Sequence, residues 1–270
     1  VPELPEVEIG TRAMRGWLAG KRIDRAIIDA TRVIRPRTPL AIARLLEGRI
    51  VESIDRRGKW MRLSLSGATR AFSHLGMSGK WVARGVDAPP LAHERLRIDA
   101  VRGRAGVSVR YVDPRLFGRF VIGELPEWST LGPDPLVDGL DPSDLWSRLS
   151  ATRRTVKEAL LDQTLVAGLG NIQVTEALFR ARIAPTTRAC DLDRRTVGRL
   201  VRAIDASIAW TLSIEGGPEI TYVEEAGATN PFPIYGRGGQ PCPRCRTALV
   251  RSVLGGRGTV HCKVCQPTVP

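Results

Sequence analysis

The chain has 270 residues, enough for one large domain or two smaller ones with real cores. Its 41 basic residues outweigh 28 acidic ones, and the formal charge of +13 favours polyanions, nucleic acid or an acidic membrane surface. No apolar run approaches the ~20 residues of a membrane span, and the N-terminus lacks a signal-peptide pattern; the expectation is a soluble cytoplasmic protein bound to nucleic acid, with no membrane partner.

The chain starts VPELPEVE, with a proline at position 2 followed by Glu3, Glu6 and Glu8. Inside a chain the proline nitrogen is an amide. At the exposed start of a chain it is a secondary amine, and an α-amino group titrates near ~8, so part of it is unprotonated near neutral pH. Such a nitrogen can attack a sugar or carbonyl carbon as a Schiff-base lysine does, and Glu3 beside it could carry protons. This use of Pro2 requires that Val1 be removed, or be a formyl-methionine from a non-standard start codon. The plainer alternative is that Pro2 and Pro5 frame a helix start whose dipole the acids complement.

Residues 5–19 read as that helix, with Val7, Met14 and Leu18 facing the core and Gly20 at its end. Short runs rich in Val, Ile and Leu follow at 22–29, 48–55, 59–65, 70–75, 94–101, 107–112 and 117–123, divided by turn residues such as Arg57-Gly58, Gly67, Gly103 and Gly106. Their spacing and alternation predict an antiparallel sandwich or flattened barrel. The stretch 123–143 holds four prolines with several Gly and Asp, and reads as a linker without a regular element. The period then becomes helical, at 142–150, 152–161, 171–182 and 192–214.

Between the second and third of these helices lies DQTLVAGLGN, a tight turn ending in Asn171, a candidate N-cap. Backbone N–H groups at such a helix start bind phosphate, and with Lys157 nearby the arrangement suits a nucleic-acid backbone; an ordinary helical hairpin is the alternative. Residues 215–236 read as a long loop, of the kind that is functional or disordered.

Four of the five cysteines fall in the tail as CPRC at 242–245 and CKVC at 262–265, sixteen residues apart; the fifth, Cys190, reads as a small residue without a role. Cys242, Cys245, Cys262 and Cys265 thus fit a zinc ribbon holding one structural Zn2+. From 237 on, the tail has Arg237, Arg244, Arg246, Arg251, Arg257 and Lys263 but no Asp or Glu, which suits phosphate contact. Arg257, in GGRGT, belongs at a hairpin tip that could reach a groove.

Taken together, PELPEVE at 2–8, RRGKW at 56–60, HLGMSG at 74–79, DPRLFG at 113–118, LDQTLVAGLGNI at 161–172 and the CPRC…GGRGTVHCKVCQ tail resemble the formamidopyrimidine-DNA glycosylases of the Fpg/Nei base-excision repair family. The resemblance covers essentially the whole chain and leans to the formamidopyrimidine branch. It implies an α+β fold: an N-terminal catalytic β-sandwich with a flanking helix over 1–122, the linker at 123–143, a helix-two-turn-helix domain over 144–232 and a zinc finger over 233–270. Damaged double-stranded DNA would lie between the lobes of a monomeric bacterial enzyme, nucleoid-associated when bound.

The same resemblance implies roles. Pro2 would attack C1′ of the damaged nucleoside, and Glu3 would manage protons at the sugar. Lys59, Asn171 and Arg257 would hold phosphates, Lys59 and Arg257 beside the reacting centre. His74 and Lys157 would join the DNA-binding set. Met77, Arg115 and Phe117 would fill the gap left by a base flipped from the stack, a step costing a few kcal/mol, although apolar residues like Met77 and Phe117 are more often core. An imine at Pro2 would acidify the C2′ proton, so strand cleavage would follow base removal, and the implied substrates are oxidised purines. Gln173 stands where the family has an aromatic, Arg95 where a second histidine often occurs, and the 215–236 loop does not align with the family's lesion-capping segment.

Overall fold

Helix α1 (Leu4–Leu18) begins at Glu3, whose N–H donates to the Glu6 carboxylate at 2.8 Å, closing a capping box around a first turn that contains Pro5. The plainer reading of PELPEVE is therefore physically present. In the computed structural model, which describes residues 2–214, 219–225 and 227–267, Val7, Met14 and Leu18 of α1 are fully buried. They join one apolar core with residues from two four-stranded antiparallel sheets.

The first sheet has the order β1-β6-β7-β5, formed by β1 (Arg22–Ile28), β5 (Lys80–Arg84), β6 (Glu94–Arg102) and β7 (Ala105–Val112). The second has the order β2-β3-β4-β8, formed by β2 (Val51–Arg57), β3 (Trp60–Leu65), β4 (Thr69–His74) and β8 (Arg119–Ile122). Alternating burial along β2 and β3 places Ile54, Met61, Leu63 and Leu65 in the shared core, as period-2 strands require. Within this unit, a helix and a strand between 39 and 84 escape the sequence reading. Helix α2 (Pro39–Leu46), capped by Thr38, buries only Ile42 and Leu46, and β5 is a five-residue strand without clean alternation.

The chain divides into two compact units, Val1–Ser129 with Glu215–Ala226, and Thr130–Ile214 with Gly227–Pro270. This differs from the expected boundaries in two respects. The linker stretch contains a short helix, α3 (Pro126–Thr130), whose Trp128 meets the Phe72 ring at a tilt, 5.4 Å between centroids, and lies under Arg62. The segment placed by sequence in the helical domain returns to the first unit: the Tyr222 hydroxyl donates to the Gly79 carbonyl at 2.6 Å, Lys80 pairs with Glu225 at 3.4 Å, and Arg84 pairs with Glu219. Residues 215–218 and 226 of the long loop lie outside the described residues.

The second unit contains α4 (Pro142–Ser150), α5 (Val156–Leu161), α6 (Asn171–Ala181) and α7 (Arg194–Ile214), followed by the hairpin β9 (Val250–Leu254) and β10 (Arg257–His261). Asp141 caps α4 through Ser143 and Asp144, and Thr155 caps α5 in a box with Glu158, which is why α5 starts four residues later than its periodicity suggests. Buried Gln173 joins α6 to α7: its Nε2 donates to Thr211 Oγ1 and its Oε1 accepts from Ser207, both at 2.9 Å. A glutamine thus satisfies a helix–helix seam at the position where the resemblance expects an aromatic.

Candidate functional site

In the first unit, Pro2 and Glu3 are buried at the start of α1. Further along the helix, Glu8 accepts from Arg56 Nε at 2.8 Å and from Arg12 Nε at 2.7 Å. Burial pushes the Glu8 carboxyl up, yet hydrogen bonds and charge from Arg56 and Arg12 outweigh it and leave it below the usual carboxylate range. Arg56 also donates from Nη1 to the Gly58 carbonyl at 3.0 Å. Gly58 has φ +58° in the two-residue turn between β2 and β3, and Lys59 is the next residue of that turn.

Lys59 is close enough to act electrostatically on His74. Burial, then the charges of Lys59 and Arg119, lower the His74 pKa to about 4, so its ring is neutral and its Nδ1 accepts from Gly76 N at 3.0 Å. Register explains the grouping: Trp60 pairs with His74 and His74 with Arg119 across three adjacent strands. His74 meets Trp60 edge-on at 4.9 Å, and Arg119 lies over the Trp60 ring at 5.1 Å.

HLGMSG and DPRLFG form two turns pressed together. A Cβ on Gly76 (φ +67°) would stand 2.4 Å from the Phe117 carbonyl carbon and 2.5 Å from Gly118 N. Asp113 is fully buried and knits both turns: its carboxylate accepts from Ser78 Oγ at 2.7 Å, Arg115 N at 3.2 Å and Gly118 N at 2.8 Å. Arg95, the departure from the expected histidine, donates to the Asp113 carbonyl at 3.1 Å and pairs with Asp29 at 2.9 Å. The Tyr111 hydroxyl fills the space beside Gly79 and Gly118, where added Cβ atoms would sit 2.0 and 1.8 Å from it, and burial followed by the Asp113 charge keeps it protonated.

From these turns Met77 and Phe117 project at 36% and 47% exposure, which removes the alternative that they are core residues. Arg115 and Arg32 lie over the Phe117 ring at 5.1 and 4.9 Å, and Arg32 also donates to the Arg115 carbonyl at 2.8 Å. Sequence reasoning missed Arg32, which lies more than eighty residues from the turn it supports.

In the second unit the turn before α6 is closed by Gln163. Its Nε2 donates to the carbonyls of Leu161 and Leu169, and its Oε1 accepts from Gly168 N at 2.9 Å. Gly170, extended at φ −131°, is the N-cap, so Asn171 is the first helical residue instead. Asn171 Nδ2 donates to the Gly258 carbonyl at 3.0 Å, joining this helix start to the hairpin.

Lys157 departs most from expectation. A phosphate contact needs an accessible ammonium, and this side chain is fully buried. Its Nζ donates to Thr259 Oγ1 at 2.8 Å, the Gly258 carbonyl at 3.3 Å and Thr175 Oγ1 at 3.4 Å. The hairpin turn itself is Gly255-Gly256, with φ +55° and +70°, so Arg257 opens β10 exposed beside the tip.

The four tail cysteines stand together, their Sγ atoms within 4.8 Å of one another. Tetrahedral zinc–thiolate bonds of about 2.3 Å need sulfurs about 3.8 Å apart; Cys242 and Cys265 are at 3.9 Å, and Cys245 and Cys262 at 3.4 Å. Arg244 N and Cys265 N each point at a cysteine sulfur at 3.4 Å, which suits thiolate acceptors. The donor set fits one structural zinc, whose binding would supply folding energy to the hairpin. The finger is anchored to α6 by Arg244, which donates to the Phe179 carbonyl at 2.7 Å, and to the segment just past that helix by Gln266, which donates to the Ile183 carbonyl at 2.8 Å.

Residues 1–120 match the formamidopyrimidine-DNA glycosylase N-terminal domain, 131–222 the H2TH domain of the same enzymes, and 239–268 the zinc finger found in FPG and IleRS. The formamidopyrimidine-DNA glycosylase of Acidiphilium cryptum is 38% identical over 97% of this chain and 98% of its own, and that of Bacillus cereus is 34% identical over the whole of both. Among solved structures, Lactococcus lactis Fpg bound to abasic-site DNA is similar with a TM-score of 0.87 at 29% identity, over 98% of this chain and 100% of that one. The same bacterial enzyme bound to an N7-benzyl-Fapy-dG DNA is similar to the same degree, at 30% identity over 99% of this chain. Among the described residues no helix is long and apolar enough to cross a membrane. With three successive family domains matched in order, a four-cysteine zinc site and relatives solved on damaged DNA, the chain belongs to the formamidopyrimidine-DNA glycosylase family.

Proposed function

We propose that the chain is a bifunctional DNA glycosylase and AP lyase that excises oxidised purines, 8-oxoguanine and formamidopyrimidines, from double-stranded DNA. The observation that carries this reading is the PELPE start folded as a capped helix terminus, with Pro2 and Glu3 at its head. In a mature chain beginning at Pro2, the secondary amine attacks C1′ and the glycosidic bond breaks, with Glu3 moving protons at the sugar and the base leaving with a proton. The C1′–O4′ bond then opens as the ring oxygen takes a proton, leaving an iminium that acidifies the C2′ hydrogen; removal of that hydrogen expels the 3′ phosphate and cuts the strand.

The remaining residues hold and open the duplex. Lys59, Asn171 and Arg257 take phosphates, with His74 beside Lys59 as a neutral partner. Met77 and Phe117 fill the vacated stack and Arg115 bonds the orphaned base. Lys157 acts from inside by holding the hairpin that presents Arg257. The protein works as a cytoplasmic monomer on DNA.

Borohydride treatment with an abasic-site or 8-oxoguanine duplex tests the reading. The expected result is a covalent adduct mapped to residue 2 of a chain shown to begin there, with Glu3→Gln slowing base excision more than abasic-site cleavage. Trapping at Lys59, or on a chain that keeps Val1, would overturn the proline mechanism. Binding of lesion DNA without trapping by a chain that starts at Pro2 would leave a non-catalytic DNA-binding protein. A second substrate reading has its own support, since the Lactococcus relative was also solved with DNA containing an oxidised pyrimidine; incision rates on a panel of lesion duplexes separate the two.

A further inference from the structure

Beside Pro2, Glu3 and Lys59, the motifs PELPEVE and RRGKW contain Glu8 and Arg56. They meet across 48 positions of sequence. The Arg56 side chain is 1% exposed, the Glu8 side chain 16%, and the pair stands at 2.8 Å. A buried ion pair of this kind is weak evidence for stability, because desolvating both charges offsets most of their attraction. Its geometry points elsewhere. Arg56 uses one nitrogen for Glu8 and another for the Gly58 carbonyl, so the guanidinium joins α1 to the turn that carries Lys59. Glu8 lies six residues from Pro2 on the helix that Pro2 precedes, and Lys59 immediately follows Gly58. Fixing Arg56 to both sides therefore fixes where Lys59 stands relative to Pro2.

A second clamp on the same helix gives the contrast. Farther along α1, Arg15 donates from Nε and Nη2 to the Ile54 carbonyl at 3.1 and 2.8 Å. Both arginines hold α1 to β2, but only the Arg56 clamp reaches the Gly58-Lys59 turn.

We infer that Glu8 and Arg56 form a positioning pair for the reaction, setting the turn-borne Lys59 in register with the helix-borne Pro2. Arg56 is suited to this because its planar fork serves two acceptors in fixed directions, which a lysine ammonium does not. The inference rests on the proline reading proposed above. Neither residue is assigned contact with DNA or with the reacting atoms.

The test measures single-turnover borohydride trapping on an abasic-site duplex for the full-length protein starting at Pro2, with affinity for an uncleavable abasic-analogue duplex and thermal melting recorded in parallel. A displacement of about 1 Å at a reacting centre costs on the order of 100-fold in rate. Arg56→Met should therefore slow trapping at saturating protein about 100-fold, with affinity changed by less than about threefold. Arg56→Lys keeps a charge for Glu8 but not the fixed fork, and should recover about tenfold of the loss. Glu8→Gln should fall between wild type and Arg56→Met, and serves with Arg56→Lys if Arg56→Met does not fold. Arg15→Met should melt lower yet trap within about twofold of wild type.

Equal trapping by wild type and Arg56 variants would overturn the inference while leaving the proline reading in place. So would rate losses that track melting temperature across the Arg15 and Arg56 variants alike. If the wild-type chain starting at Pro2 does not trap, the functional reading itself fails and takes this inference with it.

Discussion

The paired turns of the first unit and the zinc hairpin of the second both present exposed side chains from loops, by opposite means. Met77 and Phe117 project from turns locked by steric contact and one buried carboxylate: Gly76 lies against the Phe117–Gly118 backbone, and Asp113 accepts from Ser78, Arg115 and Gly118. Arg257 projects from a hairpin whose support is a metal site on one side and the Lys157 ammonium on the other. The turns are built from packing within a core large enough to hold them. The hairpin belongs to a small module whose own apolar cluster is Phe179, Ile234, Leu249 and Val260 with its cysteines, and a core of that size needs a staple.

Metal removal should break the comparison most strongly. Structural zinc in finger peptides is worth about 10–16 kcal/mol of apparent folding energy. Chelation or Cys245→Ser should remove one zinc per chain, disorder β9 and β10 and abolish tight DNA binding, while hydrogen exchange in the two sheets stays near wild type. Full metal content and unchanged binding in Cys245→Ser would contradict the four-cysteine site.

Gly76→Ala is the converse. A Cβ there meets backbone within 2.5 Å at a left-handed φ, so overpacking and torsional strain together should cost about 4 kcal/mol. A urea titration should show the first unit destabilised and the zinc content intact.

A third test uses acid. His74 is neutral in the folded chain, with a pKa near 4, against an ordinary value of 6.5. The unfolded chain therefore binds an extra proton between those values, and stability should fall as pH drops from 6.5 to about 4, by roughly 3 kcal/mol, then lose nothing more from this group below 4. Comparing denaturant midpoints at pH 7 and pH 4.5 for wild type and His74→Gln isolates the effect: the variant should lose less.

The smallest change is Lys157→Met, which leaves the Thr175 and Thr259 hydroxyls and part of the Gly258 carbonyl without their cation, at a cost of about 2 kcal/mol. Zinc stoichiometry should hold, amides of β10 should exchange faster, and DNA affinity should fall without any change in the first unit. Loss of zinc in this variant would show that the lysine and the metal are a single support rather than two.

How much of this is legible in the sequence depends on the range of each interaction. Cysteine pairs three positions apart, the capping acids of α1 and the alternation of β2 and β3 are local patterns, and they yield the zinc site, the first helix and the two-sheet unit. Strand β5 is too short to show a period, with Trp81 and Val82 its buried pair. Lys157 is misread because a lone lysine reads as solvated, and the residues that bury it are 18, 101 and 102 positions away. Asn171 is displaced from the cap by one position because Gly170, with no side chain to advertise the role, ends the turn. The support of Phe117 by Arg32 and of the Lys59 turn by Glu8 and Arg56 likewise spans tens of residues, beyond what spacing can report.

The chain passes between its two units three times, after Ser129, after Ile214 and after Ala226. In terms of fragment complementation, neither unit can be excised as one uninterrupted piece. A gene split after residue 129 would send the Tyr222 strap with the C-terminal fragment, and docking of its hydroxyl on the Gly79 carbonyl would give that fragment a native seat on the N-terminal one. Co-expressed halves should therefore find each other without a fused dimerisation tag, whereas an N-terminal fragment alone would be missing part of its own fold.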